Sequence, residues 1–356
     1  MHFSDGQVPE DYRKYVGRKS VLIGFSGAAL ILCLLVAISL GAAGLPLTEV
    51  AKSLAGLDVA RRVDAIIWNI RLPQALAAIM AGAALSVSGT AMQSILRNPL
   101  GSPFTLGISH AAAFGAALSV MTLGGGIMAS SPTDAVNITN PYLTTAVAFA
   151  FSIAAAGVII AVSRLRGATP EVMVLTGVAL GALFTAGTMF LQYFADDVQL
   201  AAMIFWTFGD TARASWTEVG IISAATVLCS AYFMANSWNY NAIDAGDETA
   251  KGLGVRVERV RMLGMLLASM LTAFVIAFLG IIGFVGLVVP HMVRRVIGSD
   301  HRFLIPASIL VGGLLLLLSD TAARLILAPH VLPVSVLTAF MGAPVFIYLI
   351  IRGQKR

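Results

Sequence analysis

Apolar runs of about twenty residues, nearly free of charge, recur along this 356-residue chain. Runs of that length cross a hydrocarbon core about 30 Å thick as helices. They are continuous, with no alternation of period two, which excludes a membrane barrel. The pattern predicts an all-α polytopic membrane protein with about ten spans, at roughly 21–43, 72–95, 104–123, 142–163, 172–194, 217–235, 262–280, 284–298, 303–327 and 336–351. The eighth is short and reads as tilted or shielded by protein. One interruption stands out. The stretch "AIDAGDETAKGLGVRVERVR", 242–261, carries eight charged residues in twenty, in a chain only 12% charged overall. It calls for water between two segments that call for lipid.

Composition agrees: 58% of the residues are hydrophobic and the mean hydropathy is +0.87. Lysine and arginine set the orientation. With the amino terminus inside, Arg13, Lys14, Arg18, Lys19, Arg97, Arg164, Arg166, Lys251, Arg256, Arg259, Arg261, Arg294, Arg295, Arg302, Arg352, Lys355 and Arg356 collect on the cytoplasmic side. Only Lys52, Arg61, Arg62, Arg71, Arg213 and Arg324 are left for the outer side or the membrane. This predicts an even number of spans with both termini cytoplasmic. Anionic lipid then accounts for the net charge of +5 without any nucleic acid. The expected organisation is a cytoplasmic N-terminal segment, 1–20, followed by one transmembrane domain, 21–356. The first run is too long, and follows too many polar residues, for a cleaved signal peptide. Cys33 and Cys229 lie inside spans and read as small packing residues.

There is no Walker A loop, no H-E-x-x-H, no cysteine–histidine cluster and no G-x-S-x-G. The five histidines are scattered, so no metal site is expected, and transport is favoured over chemistry. Four segments sharpen this: "RLPQALAAIMAGAALSVSGTAMQSILRNPLGSPFTLGISHAAAFGAAL" at 71–118, the charged patch itself, "GIIGFVGLVVPHMVRRVIGSDHRFLIP" at 280–306, and "SDTAARLI" followed by "PVSVLTAFMGAPVFIYLI" at 319–350. In this order and spacing they resemble the FecCD family of ABC-transporter permeases, importers of iron-siderophore complexes, haem and vitamin B12.

The resemblance implies the type II ABC importer permease fold, with ten helices per subunit and helices two to five related to seven to ten as an inverted repeat. It also implies a homodimer with the translocation path at the interface, two copies of a separate ATPase below and an extracytoplasmic substrate-binding protein above. No cofactor is expected on this chain, which is not an enzyme; ATP and Mg belong to the ATPase. The charged patch would form coupling helices at about 241–258, with Asp244, Gly246, Ala250, Gly252, Gly254 and Val255 around Leu253 as the apolar anchor. Outward arginines would accept carboxylates of the binding protein, Arg71 and Arg324 first, with Arg61 or Arg62 in reserve because Gln74 replaces a usual arginine. For Arg324 an internal i,i+4 pair with Asp320 stands as an equal alternative. Thr185, Thr188 and Gln192 form a polar stripe on the fifth span and would line the path. Thr169 and Pro170, in the loop before it, would belong to the inner gate.

Two segments interrupted by glycine and proline read as structural. Arg97, Asn98 and Pro99 form a turn after span two, while Gly283, Gly286 and Pro290 permit close packing and a kink. His291 reads as a hydrogen-bonded structural residue. The expected function is an import permease for an iron chelate in a prokaryotic cytoplasmic membrane, with a corrinoid as the alternative substrate. An ion-coupled transporter would need an acidic site in the membrane, and Asp320 is the candidate.

Overall fold

The computed structural model describes residues 10–41, 44–123, 127–128, 136–137, 141–328 and 330–353. Lys355, Arg356 and the first nine residues of the expected N-terminal segment lie outside them. The described helices are α1 (Glu10–Ser39), α2 (Leu47–Leu54), α3 (Arg61–Ile66), α4 (Leu72–Ile95), α5 (Ile108–Thr122), α6 (Pro141–Leu165), α7 (Pro170–Phe194), α8 (Asp197–Thr207), α9 (Trp216–Ala235), α10 (Ser237–Asp244), α11 (Asp247–Gly252), α12 (Val257–Leu279), α13 (Val285–Ile297), α14 (His301–Leu325) and α15 (Val334–Gly353). A two-residue antiparallel ribbon, Ile127–Met128 with Val136–Asn137, is the only sheet among the described residues.

Seven helical stretches are long and apolar enough to cross a membrane, the second being α3 and α4 joined through a π-helical turn at Ile67–Arg71. The shorter apolar helices α5 and α15 and the thirteen-residue α13 lie where the other three expected spans fall. Four differences have physical reasons. Helix α1 begins at Glu10, inside the expected N-terminal segment, because residues 10–20 contain no proline and continue directly into the first apolar run. The third span starts at Ile108 instead of 104, because 103–107 is a run of turns ending in Gly107 at φ +79°. Short helices α2, α3 and α8 occupy stretches read as loops; α8 starts in a capping box of Asp196 and Gln199. Finally, the helix pair in the charged patch begins upstream, at Ser237 instead of about 241.

Helix α4 runs through the middle of the bundle, packed by α9, α12, α13 and α14. It is rich in alanine, serine and glycine, which lets neighbouring backbones come close where lipid offers no hydrophobic drive to pack. A Cβ added at Gly82 would lie 2.2 Å from the Gly312 carbonyl oxygen of α14, and one at Gly89 only 1.8 Å from that of Gly286 in α13. No side chain fits at either crossing.

The two interrupted segments meet inside this frame. Residues 99–107 turn back into the bundle, so α5 starts in the interior with Gly107 against Gly177 and Gly181 of α7. Residues 280–284 lead into α13, and Phe284 takes φ +66°. Phe104 and Phe284 line one small interior void with Leu85, Thr272 and Ile282. Irregular backbone at membrane depth is tolerated only where protein shields it, and broken helices of this kind mark transport sites.

Candidate functional site

At one end of the bundle α10 and α11 form a compact projection. Its turns need glycine: Gly246 has φ +121° and Gly254 φ +82°. Ala250 is fully buried beneath the pair, while Leu253 stands out with 70% of its surface exposed. Leu253 is thus a large apolar side chain exposed on a charged element, at the position expected to anchor a partner. Gly252 and Val255 flank it. Asp244 ends α10, with its carboxylate 3.8 Å from His301 Nδ1.

The base of this projection is tied to the bundle by Arg261, which is 2% exposed. Its guanidinium forks onto Asp247 at the start of α11, with Nη2 2.9 Å from Oδ1 and Nη1 3.1 Å from Oδ2. Nε donates to the Ile95 carbonyl at 3.0 Å, an acceptor left over where α4 ends. Nη1 also donates to the Ala168 carbonyl at 3.1 Å. Ala168 precedes Thr169 and Pro170, which open α7, so one side chain holds the projecting helices, the end of the central helix and the loop expected to act as a gate. Only three non-glycine residues among those described have positive φ: Arg97 (48°), Ala168 (52°) and Phe284 (66°). Two of them sit at, or two residues from, the carbonyls that Arg261 grips. Strained backbone persists where its surroundings over-determine it, and here the guanidinium does so. Sequence reasoning counted Arg261 only as one more inside cation. Its signal was position: an arginine on the membrane face of a span, after a charged patch, has to find carbonyls or acids inside.

A second tie lies beside it. Asn241 of α10 accepts from the His301 backbone N–H at 2.9 Å and donates to Asp300 at 3.0 Å, while His301 Nε2 meets Ser94 Oγ of α4 at 2.8 Å. Arg302 binds Asp300 at 2.6 Å and lies over the Trp238 ring of α10. Burial alone would raise the Asp300 carboxyl, but the Arg302 guanidinium and the Asn241 amide hold it down at about 2. Of the expected structural residues, Asn98 Oδ1 accepts from the Leu100 N–H at 2.9 Å, closing the turn through Pro99. Pro290 lies inside α13; His291, expected to be hydrogen-bonded, instead has its Nε2 buried with no hydrogen-bond partner among the described residues.

At the opposite end Arg71 is turned inward, against the expectation that it reaches out to a partner. It is 6% exposed, and Nη1 donates to the carbonyls of Ile38 at 2.5 Å and Ser39 at 2.8 Å, in the last turn of α1. Arg324 reaches the same turn, at Ala37 and Leu40, and pairs with Asp320 at 3.1 Å. Helix α1 has no basic residue in its own last turn, so these two arginines supply the cation that its C-terminal dipole favours. Gln74 donates to Asp320 at 3.1 Å, and Thr211 donates to the same carboxylate oxygen. Gln74 thus completes the shell of a buried acid. Arg61 and Arg62 are exposed at the start of α3.

Thr185 and Thr188 are half-buried on α7 and return their hydroxyls to the Gly181 and Phe184 carbonyls at 2.8 Å; Gln192 follows on the same face. They are not brought together with the other expected site residues. Leu175, Leu183, Phe190 and Tyr193 leave much of α7 uncovered within the single chain. Near Phe284, α15 lines an open apolar cavity of about 590 Å³ with Val336, Ala339, Phe340 and Pro344. Among the described residues no group of three or more His, Cys, Asp or Glu could hold a metal.

Broken helices meeting at mid-bundle, uncovered apolar faces and a projecting helix pair define a multi-pass membrane transport subunit. The profile of the FecCD transport family matches residues 29–352, and the chain belongs to that family. It is 50% identical over 349 residues to a chain of Methanocaldococcus jannaschii described as an ABC transporter permease protein, covering 98% of this chain and 99% of the other. It is 37% identical to the hemin transport system permease protein of Yersinia pestis, over 94% and 97% of the two chains. A solved chain from an inward-facing metal-chelate type ABC transporter superposes with a TM-score of 0.80 at 28% identity, over 94% of this chain and 99% of that one. The protein is an ABC importer permease.

Proposed function

We propose that residues 21–356 work as one permease domain in a homodimer, with two separate ATPase subunits seated on α10 and α11 and an extracytoplasmic binding protein at the opposite end. The cargo is an iron chelate, a ferric siderophore or haem, carried into a prokaryotic cell across its cytoplasmic membrane. The α10 end and both termini face the cytoplasm, in keeping with the lysine and arginine bias. The similarity to a hemin permease and to a metal-chelate transporter supports the substrate class.

The coupling scheme rests above all on the triple grip of Arg261. ATP and Mg act on the partner, and binding there shifts Leu253 and α11. Asp247 pulls on Arg261, which holds the end of α4 and the Ala168 carbonyl together. The turn at 167–169 and the start of α7 then move as one piece, shifting the permease between outward- and inward-facing states. Thr169 and Pro170 form the inner gate. Thr185, Thr188 and Gln192 line the path, together with the apolar wall around Phe284; weak contacts of this kind pass a bulky chelate without trapping it. Arg61 and Arg62 steer the binding protein.

An ion-coupled transporter is disfavoured by Asp320, whose carboxylate is occupied by Arg324, Thr211 and Gln74. The test is uptake into proteoliposomes holding permease, ATPase and binding protein, with a panel of ferric siderophores, haem and cobalamin. Uptake of an iron chelate that requires both ATP and the binding protein is expected. ATP-dependent uptake of cobalamin alone would transfer the assignment to a corrinoid, and uptake without ATP would overturn the mechanism.

A further inference from the structure

Cations gather at the α10 end in a second place, away from the Arg261 junction. The start of α1 and the end of α13 enclose a groove of about 580 Å³ lined by Lys14, Tyr15, Arg18, Lys19 and Arg295, with Asp11 as its one acid. Lys14 makes only a long, exposed contact with Glu10, at 3.8 Å. Lys19 is 6% exposed, with its ammonium 3.8 Å from the Tyr15 ring centroid and 5.0 Å from that of Phe303. Among the described residues no acid lies within 4 Å of Arg18 or Lys19. Lys19, buried and donating to the Tyr15 hydroxyl, sits beside the exposed Lys14 and Arg18 in a concentration of positive charge, with Asp11 as the single acid lining it among the described residues.

What runs on from the groove identifies the ligand. Lys14 and Arg18 are one turn apart on α1, and Val21, Phe25 and Leu32 continue the same face toward the bundle's middle. Val21 and Phe25 are each 71% exposed, and Val296 beside the groove is 68% exposed. A cationic ring passing directly into an uncovered apolar track matches one molecule end to end: a phosphate headgroup above, acyl chains below.

We propose that this groove binds the headgroup of an anionic phospholipid, with the acyl chains lying along the Val21–Phe25 face of α1. The site anchors the start of α1 and the end of α13 to the membrane surface. That the lipid comes from the cytoplasmic leaflet rests on the orientation proposed above; the binding itself does not, so the two can fail separately.

The full chain in detergent, examined by native mass spectrometry, tests this with phosphatidylglycerol, phosphatidylcholine of equal chain length and inorganic phosphate as probes. Wild type should retain phosphatidylglycerol in preference to phosphatidylcholine. Lys14→Gln with Arg18→Gln should cut that preference by about tenfold or more, as expected for removing two cations beside an anionic lipid. Arg166→Gln, an exposed cation elsewhere, should leave it intact. Equal retention of the two lipids overturns the proposal, as does an unchanged preference in the double variant. Displacement of phosphatidylglycerol by millimolar inorganic phosphate would assign the groove to a free anion and overturn the lipid assignment. A shifted melting temperature of the double variant in phosphatidylcholine would report a folding defect; Arg18→Lys, which keeps the charge, must then restore the preference, or the proposal fails.

Discussion

Replacing Arg261 by methionine keeps an unbranched apolar stem of similar reach and removes the guanidinium. Three groups lose their partner: the Asp247 carboxylate, the Ile95 carbonyl and the Ala168 carbonyl. Breaking a buried ion pair from one side costs about 3–5 kcal/mol, but Asp247 keeps 30% of its side-chain surface in water, so the lower end applies. Each carbonyl deprived of its donor adds about 1 kcal/mol or more, and part of that is recovered if water enters. The expected loss is about 3–5 kcal/mol, a large share of the 5–15 kcal/mol typical of a domain, so the variant should be assayed at reduced temperature. Leu253 and its surroundings are untouched, and the ATPase should still bind and hydrolyse ATP. Transmission should fail: uptake per ATP is expected to fall at least tenfold, with hydrolysis largely preserved. Arg261→Lys keeps the charge but not the fork, and should fall between. The assay is hydrolysis and uptake measured in the same proteoliposomes, with thermal unfolding alongside. Uptake per ATP within twofold of wild type, in a variant destabilised as expected, would show that the junction is structural cement and would refute the relay.

Leu253→Asp should leave the unfolding temperature unchanged, since the side chain is 70% exposed, yet abolish ATP-driven uptake; normal uptake would sink the seat assigned to α10 and α11. Gly89→Val forces α4 and α13 apart, because a Cβ there falls 1.8 Å from the Gly286 carbonyl oxygen, and should cost about 3 kcal/mol or more in thermal unfolding. Arg71→Gln should lower stability at every ionic strength, as a lost cap on α1 would, whereas Arg61→Gln with Arg62→Gln should weaken binding-protein docking mainly at low salt. The Asp300 carboxyl is held at about 2, below its ordinary 3.8. Its contribution is therefore complete above the ordinary value and is lost only as pH falls through about 2. Asp300→Asn should thus destabilise equally at pH 5 and pH 8; a cost that changes across that range would mean another group is titrating.

Much of this protein could be read from its residues in order. The lengths of the apolar runs pointed to a bundle of about ten helices, because an unpaired backbone is intolerable in hydrocarbon and a helix must be long enough to cross it. The charged stretch from 242 to 256 was marked for water for another reason, the cost of charged side chains in hydrocarbon. Glycine and proline at 98–107 and 280–290 marked where helices break, since neither residue supports a regular helix interior.

Partnership was another matter. Arg71 and Arg324 carry the same charge whether they face a binding protein or the last turn of α1, and only the three-dimensional packing chose the latter. Gln74 looked like a missing contact until Asp320 appeared 246 residues away. Arg261 was one cation among seventeen until the fold brought Asp247, Ile95 and Ala168 to its fork. Hydrophobicity is a property of each residue and its near neighbours, so the chain alone determined what enters the membrane and what leaves it. A hydrogen bond needs two groups at one distance and one angle, and across such separations in sequence only the tertiary structure decides that.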